Sequence, residues 1–288
     1  MTVESHNAAK VPVRRIAKRF SDVPRPFLKW VGSKQGLLNH LTPFLPPSYD
    51  RYYEPFLGGG ALFFYECPSE ATLSDQSAEL ISVWQVIRDD PEGIIDYLRD
   101  KRPDRDLFYE IREARSTDKT TFAAEFIYLN KTCWNGLYRV NSKGKFNVPF
   151  GRSRTDSILD AENIRACSRA LRAEGVIIEN KDFRESVSDA KRGDLVFFDP
   201  PYVTKHNNNG FRDWNEVLFS WDDQVSLAAE ARRLADRGVH VIISNADHKD
   251  IRDLYNGFEI IGFNRSSTLS SSPKFRGSVG EIIVVAGV

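Results

Sequence analysis

Residues 195–202 read LVFFDPPY, and the side chains crowded into that stretch could do chemistry. Leu195 to Phe198 form an apolar run of the kind that makes a buried strand. Asp199 therefore falls at a strand's carboxyl end, where open α/β sheets bind ligands. Pro200 and Pro201 hold φ at roughly −65° and remove two backbone donors. What then points outward is acceptors: the Asp199 carboxylate and the carbonyls of Asp199 and Pro200. Tyr202 sets a flat aromatic face beside them. Acceptors next to an aromatic slab suit a planar group that donates N–H bonds, such as the exocyclic amine of a nucleobase. A capped turn after a strand is the plainer alternative.

A second cluster, EPFLGGG, lies upstream. A dinucleotide fingerprint wants G-x-G-x-x-G, and Gly58, Gly60 and Phe63 break it. A P-loop wants a glycine in register ahead of Gly32-Ser33-Lys34, and none is there. S-adenosylmethionine (SAM) fits better, because it carries no pyrophosphate. Gly58 to Gly60, lacking Cβ, let backbone approach its amino-acid portion. Asp75 lies 17 residues past Gly58, where a carboxylate could accept from the ribose hydroxyls. Asp75-Gln76-Ser77 would serve equally to cap the following helix, and both readings stand.

The elements that must position these residues follow from periodicity. GSKQGLLNHL predicts a helix opening at Ser33 with Leu37, Leu38 and Leu41 on one face. RYYEPF predicts a strand, ALFFYE a helix, and ATLSD a strand ending in Asp75, the first half of a doubly wound sheet. Residues 77–131 then carry helical spacing almost throughout, in AELISVWQVI, GIIDYLRD and TFAAEFIYL. LYRVNSKGKFNVPFG predicts a hairpin with SKGK at its tip, and ENIRACSRALRA a further helix. Strands resume at VIIE, DLVFF, HVIIS, GFEIIGF and EIIVVAGV, with a long helix at SLAAEARRLA. The expected architecture is an α/β, Rossmann-like sheet with an inserted helical domain that carries a β-hairpin. Its expected divisions are a basic tail over 1–22, a catalytic domain over 23–76 and 171–288, and an insert over 77–170.

The 288 residues include forty Lys and Arg against forty Asp and Glu, a formal net charge of +0. Any nucleic-acid footprint must then be local. It is found between residues 131 and 154, where Lys131, Arg139, Lys143, Lys145, Arg152 and Arg154 stand with no acid among them. Trp134, Tyr138, Phe146 and Phe150 are interleaved with those charges; a solvated charged hairpin is the alternative. Three cysteines without a C-x-x-C pair or a histidine cluster argue against disulfides and zinc and for a reducing, cytoplasmic setting. No apolar run approaches the roughly 20 residues that span a bilayer. The opening twenty residues lack the apolar core of a secretory signal.

FLKWVGSK, EPFLGGG, LSD, NKDF and DPPY, in that order, resemble the Dam-type, alpha-group DNA adenine methyltransferases, and the likeness runs from Phe27 nearly to the end. YLNKTCWNGLYRVNSKGKFNVPFG resembles that family's recognition segment. The resemblance implies a SAM-dependent enzyme that methylates the N6 amine of a flipped-out adenine in duplex DNA, with no metal. It implies that Trp30 and Lys34 contact the cofactor and that Phe56, Gly58 and Gly60 wrap its methionine end. Asp75 would bind the ribose, Asp182 and Phe183 would flank the cofactor adenine, and Asp199, Pro200, Pro201 and Tyr202 would hold the target amine.

It further implies that Trp134, Asn135, Leu137 and Arg139 approach bases, while Lys145, Pro149 and Arg152 set the hairpin on the DNA backbone. The family's best-known pattern has a tyrosine-asparagine pair where Trp134-Asn135 stands and a cysteine where Tyr138 stands. GATC is thus one open reading of the target. The loop after the turn, with Lys205, Arg212 and Trp214, is expected to close over the flipped base; a later loop offers Lys274 and Arg276. A monomer or weak dimer is expected, working alone or beside a separately acting restriction endonuclease. A methyltransferase for RNA or a protein amide is the rival enzyme reading, and a DNA-binding protein without catalysis the rival of another class.

Overall fold

Seven strands form one sheet: β1 (Tyr52–Glu54), β2 (Glu70–Asp75), β3 (Gly175–Asn180), β4 (Leu195–Phe198), β5 (His240–Ala246), β6 (Glu259–Ser266) and β7 (Ser278–Ala286). The structure is a computed structural model that describes residues 23–30, 32–141, 143–151, 157–202, 219–266 and 278–287. The strand order is β3-β2-β1-β4-β5-β7-β6. β1 pairs in parallel with β2 and β4, β2 with β3, and β4 with β5; β7 runs antiparallel to both β5 and β6. The order reverses between β1 and β4, where Tyr52 lies opposite Leu195. In open α/β sheets that reversal opens a crevice outside the carboxyl ends of the strands.

β4 is buried along its whole length because both faces of the sheet are covered. Alternation sends Tyr52, Leu195, Phe197 and Ile242 into one core and Tyr53, Val196, Phe198 and Ile243 into the other.

Ten α-helices complete the described fold: α1 (Leu38–Leu41), α2 (Ala61–Glu66), α3 (Ala78–Asp89), α4 (Pro91–Leu98), α5 (Arg105–Glu113), α6 (Lys119–Thr132), α7 (Ala161–Leu171), α8 (Phe183–Ser186), α9 (Trp221–Asp236) and α10 (Lys249–Leu254). Their starts are written in side-chain caps. Asp90, Asp104, Asp118 and Asp160 accept from the backbone of Gly93, Leu107, Thr121 and Asn163, satisfying donors that a helix leaves open at its start. Ser220 and Asp223 close a reciprocal capping box on α9. α6 is buried on nearly every side, so it forms the axis on which the helices between β2 and β3 pack. The core they make is continuous with one face of the sheet, since Ile127, Ile164, Trp84, Leu73 and Ile178 share one cluster.

Two expectations change in detail. The helix opening at Ser33 begins as a 3-10 turn, Lys34–Leu37, before α1. The hairpin is not a ladder: it is held by two isolated bridges, Cys133 to Phe150 and Val140 to Phe146. The reason lies in its polar side chains. Asn141 Oδ1 accepts from the backbone N–H of Lys143 and Lys145, which turns the tip tightly and takes donors from a ladder. Among the described residues no helix is long and apolar enough to cross a membrane.

Gly60 shows how tightly the sheet is tied to its first turn. It stands at φ 60°, ψ 39° before α2, and a Cβ there would fall 2.4 Å from Cη2 of the buried Trp84. Gly60→Ala is expected to destabilise the fold by about 2–4 kcal/mol, from left-handed strain plus overpacking. Urea denaturation measures it, and an unchanged midpoint would contradict the account.

Candidate active site

Asp199 follows β4, and side chains from the 3-10 turn, β5 and β7 gather around it. Its Oδ1 lies 2.6 Å from Lys34 Nζ and accepts a hydrogen bond from Ser244 Oγ at 2.6 Å. Lys34 Nζ also donates to the Gly32 carbonyl at 2.8 Å and sits 4.8 Å from the centre of the Tyr202 ring. The Tyr202 hydroxyl donates to Glu281 Oε2 at 3.3 Å. Lys34 and Glu281 are both buried, so the Lys34–Asp199 pair is held largely away from water. Burial raises the Asp199 carboxyl above its ordinary range; Lys34 and the Ser244 hydroxyl pull against that, and Glu281 adds to it. The Tyr202 phenol is raised well above its ordinary value by burial, then by Asp199 and Glu281.

Glu54 ends β1 beside this group. Its Oε2 accepts from the Tyr52 hydroxyl at 2.7 Å and the Phe63 N–H at 3.2 Å. Burial, reinforced by Asp199, pushes it up to about 8 against those two donors, so it is largely protonated at neutral pH. Around the turn itself, no hydrogen bond from the described residues reaches Asp199 Oδ2 or the Pro200 carbonyl; the bonds made go to Oδ1 and to the Pro201 carbonyl.

The glycine turn joins this centre from β1. Asp75 Oδ2 accepts from the Gly58 N–H at 3.1 Å, and Oδ1 accepts from the Ser77 N–H at 2.9 Å. The cap of α3 is Ser77 itself, whose Oγ accepts from Leu80. Asp75 thus locks the turn to the tip of β2. A carboxylate offers about four lone-pair sites, so these two bonds leave Asp75 acceptor capacity. Trp30 covers the turn from outside: a Cβ on Gly58 would fall 2.8 Å from its ring. Inside, Trp84 Nε1 donates to the Gly58 carbonyl at 3.2 Å.

Phe56 stacks on Phe183 at 5.4 Å, and Phe183 is fully buried against Phe198 and Phe219. Asp182 caps α8 and accepts from Gln76 Nε2 at 2.8 Å. Burial opposes its charge, yet the Arg184 side chain and N–H bring its carboxyl below the ordinary range.

The chain past α6 reaches back to Trp30. Asn130, buried, donates to the carbonyls of Lys29 and Gly136 and accepts from the Lys29 N–H, fixing residues 29–30 against the segment that follows α6. Tyr138 stacks between Trp30 (5.8 Å) and Phe126 (5.0 Å), and its hydroxyl donates to Glu79. It is therefore held between two aromatic rings by a tethered hydroxyl. Trp134 and Asn135 form an exposed 3-10 turn, with Asn135 at φ 54°. Leu137 is half-buried, Lys145 and Pro149 are exposed, and Arg139 Nε donates to Asn147 Oδ1 at 2.8 Å. Arg152, Lys205, Arg212, Trp214, Lys274, Arg276 and the basic tail lie outside the described residues.

Three groupings thus emerge: Lys34 with Asp199 and Tyr202, Trp30 with Gly58 and Asp75, and Phe56 with Phe183. Lys34, expected on the cofactor, is paired with Asp199. Sequence reasoning missed Glu54, Ser244 and Glu281. The one local signal for them was a polar residue inside an apolar strand run, as in HVIISNA and EIIVV. Among the described residues no group of three or more His, Cys, Asp and Glu could hold a metal ion.

A family model for D12 class N6 adenine-specific DNA methyltransferase matches residues 30–269. The type II methyltransferase M1.LlaDCHI of Lactococcus lactis subsp. cremoris is 36% identical over 269 residues, covering 90% of this chain and 94% of its own. The type II methyltransferase M.MjaIII of Methanocaldococcus jannaschii is 33% identical over 260 residues (82% and 89%). A DNA adenine methylase of Haemophilus influenzae is 30% identical over 271 residues (91% and 94%).

Proposed function

The chain belongs to the D12 class of N6 adenine-specific DNA methyltransferases, and from that premise we propose that it transfers the methyl group of SAM to an adenine extruded from duplex DNA. The observation that supports the reading most is the pair of acceptors, Asp199 Oδ2 and the Pro200 carbonyl, beside the glycine turn. The adenine N6 lone pair is delocalised into the ring, so the free amine is a poor nucleophile. Two acceptors on its protons draw the nitrogen toward tetrahedral geometry and free that pair. Because they are already aimed, they need no reorganisation as positive charge develops on nitrogen. Tyr202 offers a ring beside them, and its stacking offsets part of the few kcal/mol that extruding a base costs.

SAM, when bound, supplies the electrophilic methyl on its sulfonium. The residues present fit such a group. The Gly58–Gly60 turn brings bare backbone to the crevice, with Gly58 at φ 45° and Gly60 at φ 60°, and no side chain could be added to either without striking Trp30 or Trp84. Asp75 would accept from the ribose hydroxyls, Trp30 and Phe56 would border the methionine end, and Asp182 and Phe183 would flank the adenine. Lys34 joins the Gly32 carbonyl to Asp199, and its ammonium favours the Asp199 carboxylate against desolvation.

Residues 77–170 are proposed as the target-recognition unit, with Trp134, Asn135, Leu137 and Arg139 toward the bases and Lys145, Pro149 and Arg152 toward phosphates. Arg139 Nε is spent on Asn147, which leaves the far end of its guanidinium to reach guanine O6 and N7. Arg139→Ala is expected to lose about 1–3 kcal/mol of discrimination at one base position. Competition assays across single-substituted duplexes measure this; an equal loss on every sequence would place Arg139 on phosphate. The function itself is tested by offering labelled SAM with duplex DNA, transfer RNA and a peptide mixture. Transfer to any but duplex DNA would overturn it. Methylome sequencing of expressing cells then reads the modified base and its context, GATC among the candidates, for a solitary methylase or one within a restriction-modification pair.

A further inference from the structure

Two neighbouring residues on β5 grip the Asp199–Pro201 turn from opposite faces of the sheet. Ser244 Oγ donates to Asp199 Oδ1 at 2.6 Å. Asn245, the next residue, points the other way, as strand alternation requires. Its Nδ2 donates to Gln224 Oε1 of α9 at 3.0 Å, and Gln224 Nε2 donates to the Pro201 carbonyl at 3.2 Å. Asn245 Oδ1 accepts from the Ala246 N–H at 2.9 Å, which sets the sense of the chain. Every amide group in it is used once, as donor or acceptor.

Ser244, Asn245 and Gln224 are wholly excluded from solvent. Polar groups are costly in such a place unless they hold something. The turn is what they hold. Its prolines carry no N–H, so it cannot brace itself with its own backbone donors. The donors arrive instead from β5 and α9, and they engage only Oδ1 and the Pro201 carbonyl.

We propose that Ser244, with Gln224 and Asn245 behind it, is the positioning device of the catalytic turn, fixing the inner acceptors so that Asp199 Oδ2 and the Pro200 carbonyl face the target amine. This rests on the function proposed above. Ser244 touches no substrate; it acts through Asp199. The other groups facing Asp199 are Lys34 from the 3-10 turn, Tyr202 from the Asp-Pro-Pro-Tyr turn itself, Glu54 from β1 and Glu281 from β7. The Ser244 hydroxyl is one of the donors that favour the charged carboxyl. Without it, Asp199 holds its proton to higher pH, and the acid limb of the rate profile moves up.

The experiment compares wild type, Ser244→Thr and Ser244→Val, near-isosteres that differ in the hydroxyl, with Gln224→Leu alongside. Single-turnover rate, KM for SAM and for duplex DNA, and the pH profile are measured on the full chain. Thermal melting confirms folding. Ser244→Val is expected to lose about 10- to 100-fold in kcat, the scale of a small misplacement, with both KM values unchanged and the acid limb shifted up. Ser244→Thr should restore rate and limb. Gln224→Leu should lower kcat without moving the limb, because a carbonyl does not titrate. The wild-type rate separates the two claims: an inactive wild type overturns the functional reading and this one with it. An active wild type whose Thr and Val variants match in rate and limb overturns only the role of Ser244.

Discussion

Asp199→Asn should lower methyl transfer by about 10²- to 10³-fold while the protein still folds, binds SAM and binds duplex DNA. The substitution keeps shape and changes hydrogen-bond sense. Both partners of Oδ1, the Lys34 ammonium and the Ser244 hydroxyl, are donors. They force an amide at this position to turn its oxygen inward. Its NH2 then stands where Oδ2 stood, presenting a donor to an amine that needs an acceptor. The Pro200 carbonyl remains, so one of the two aimed acceptors is inverted and the other kept. Single-turnover methylation with a labelled donor reads the rate, and fluorescence anisotropy reads DNA affinity. A wild-type rate would show that the amine is held elsewhere and would overturn the reaction scheme.

Lys34→Met should be nearly as damaging at neutral pH, about 10²-fold in rate, and its deficit should shrink as pH rises. Lys34 is buried, and its ammonium is the largest influence favouring the Asp199 carboxylate against desolvation. Methionine keeps much of the apolar stem and removes the charge. The direction follows. Burial and Glu281 already raise the Asp199 carboxyl, so without Lys34 it rises further and holds its proton to higher pH. A protonated Asp199 is a weaker acceptor, and alkali restores the carboxylate. Uptake of that proton also relieves the stability cost of leaving a buried charge unpaired, which otherwise runs to about 3–5 kcal/mol. The pH profile of kcat checks this. An unshifted acid limb with a raised KM for SAM would instead assign Lys34 to the cofactor alone.

Much of the fold was legible in the sequence because its signals are local. The apolar run LVFF became β4, ALFFYE became α2, and ATLSD lies within β2, which ends at Asp75. Caps such as Asp90 and Asp118 sit three residues from the donors they satisfy. The hairpin was legible as a turn but not as a pair of bridges, since Asn141 competes with the ladder through its own side chain. The packing of Tyr138 was not legible for the opposite reason: its partners, Trp30 and Glu79, are far away along the chain.

Residue order alone determined the stiff Asp-Pro-Pro-Tyr turn, the glycines that only a left-handed turn explains, and the basic segment without an acid. Each depends on neighbours a few positions apart, where backbone geometry dictates contact. Folding alone decided what surrounds Asp199. Lys34 arrives from before the first strand, Ser244 from β5 and Glu281 beyond them from β7, because the strand order sets β4 and β5 side by side with β7 next in line. Charges and hydroxyls act over a few ångströms, and no spacing along a chain reveals which distant residues a sheet will carry within that reach.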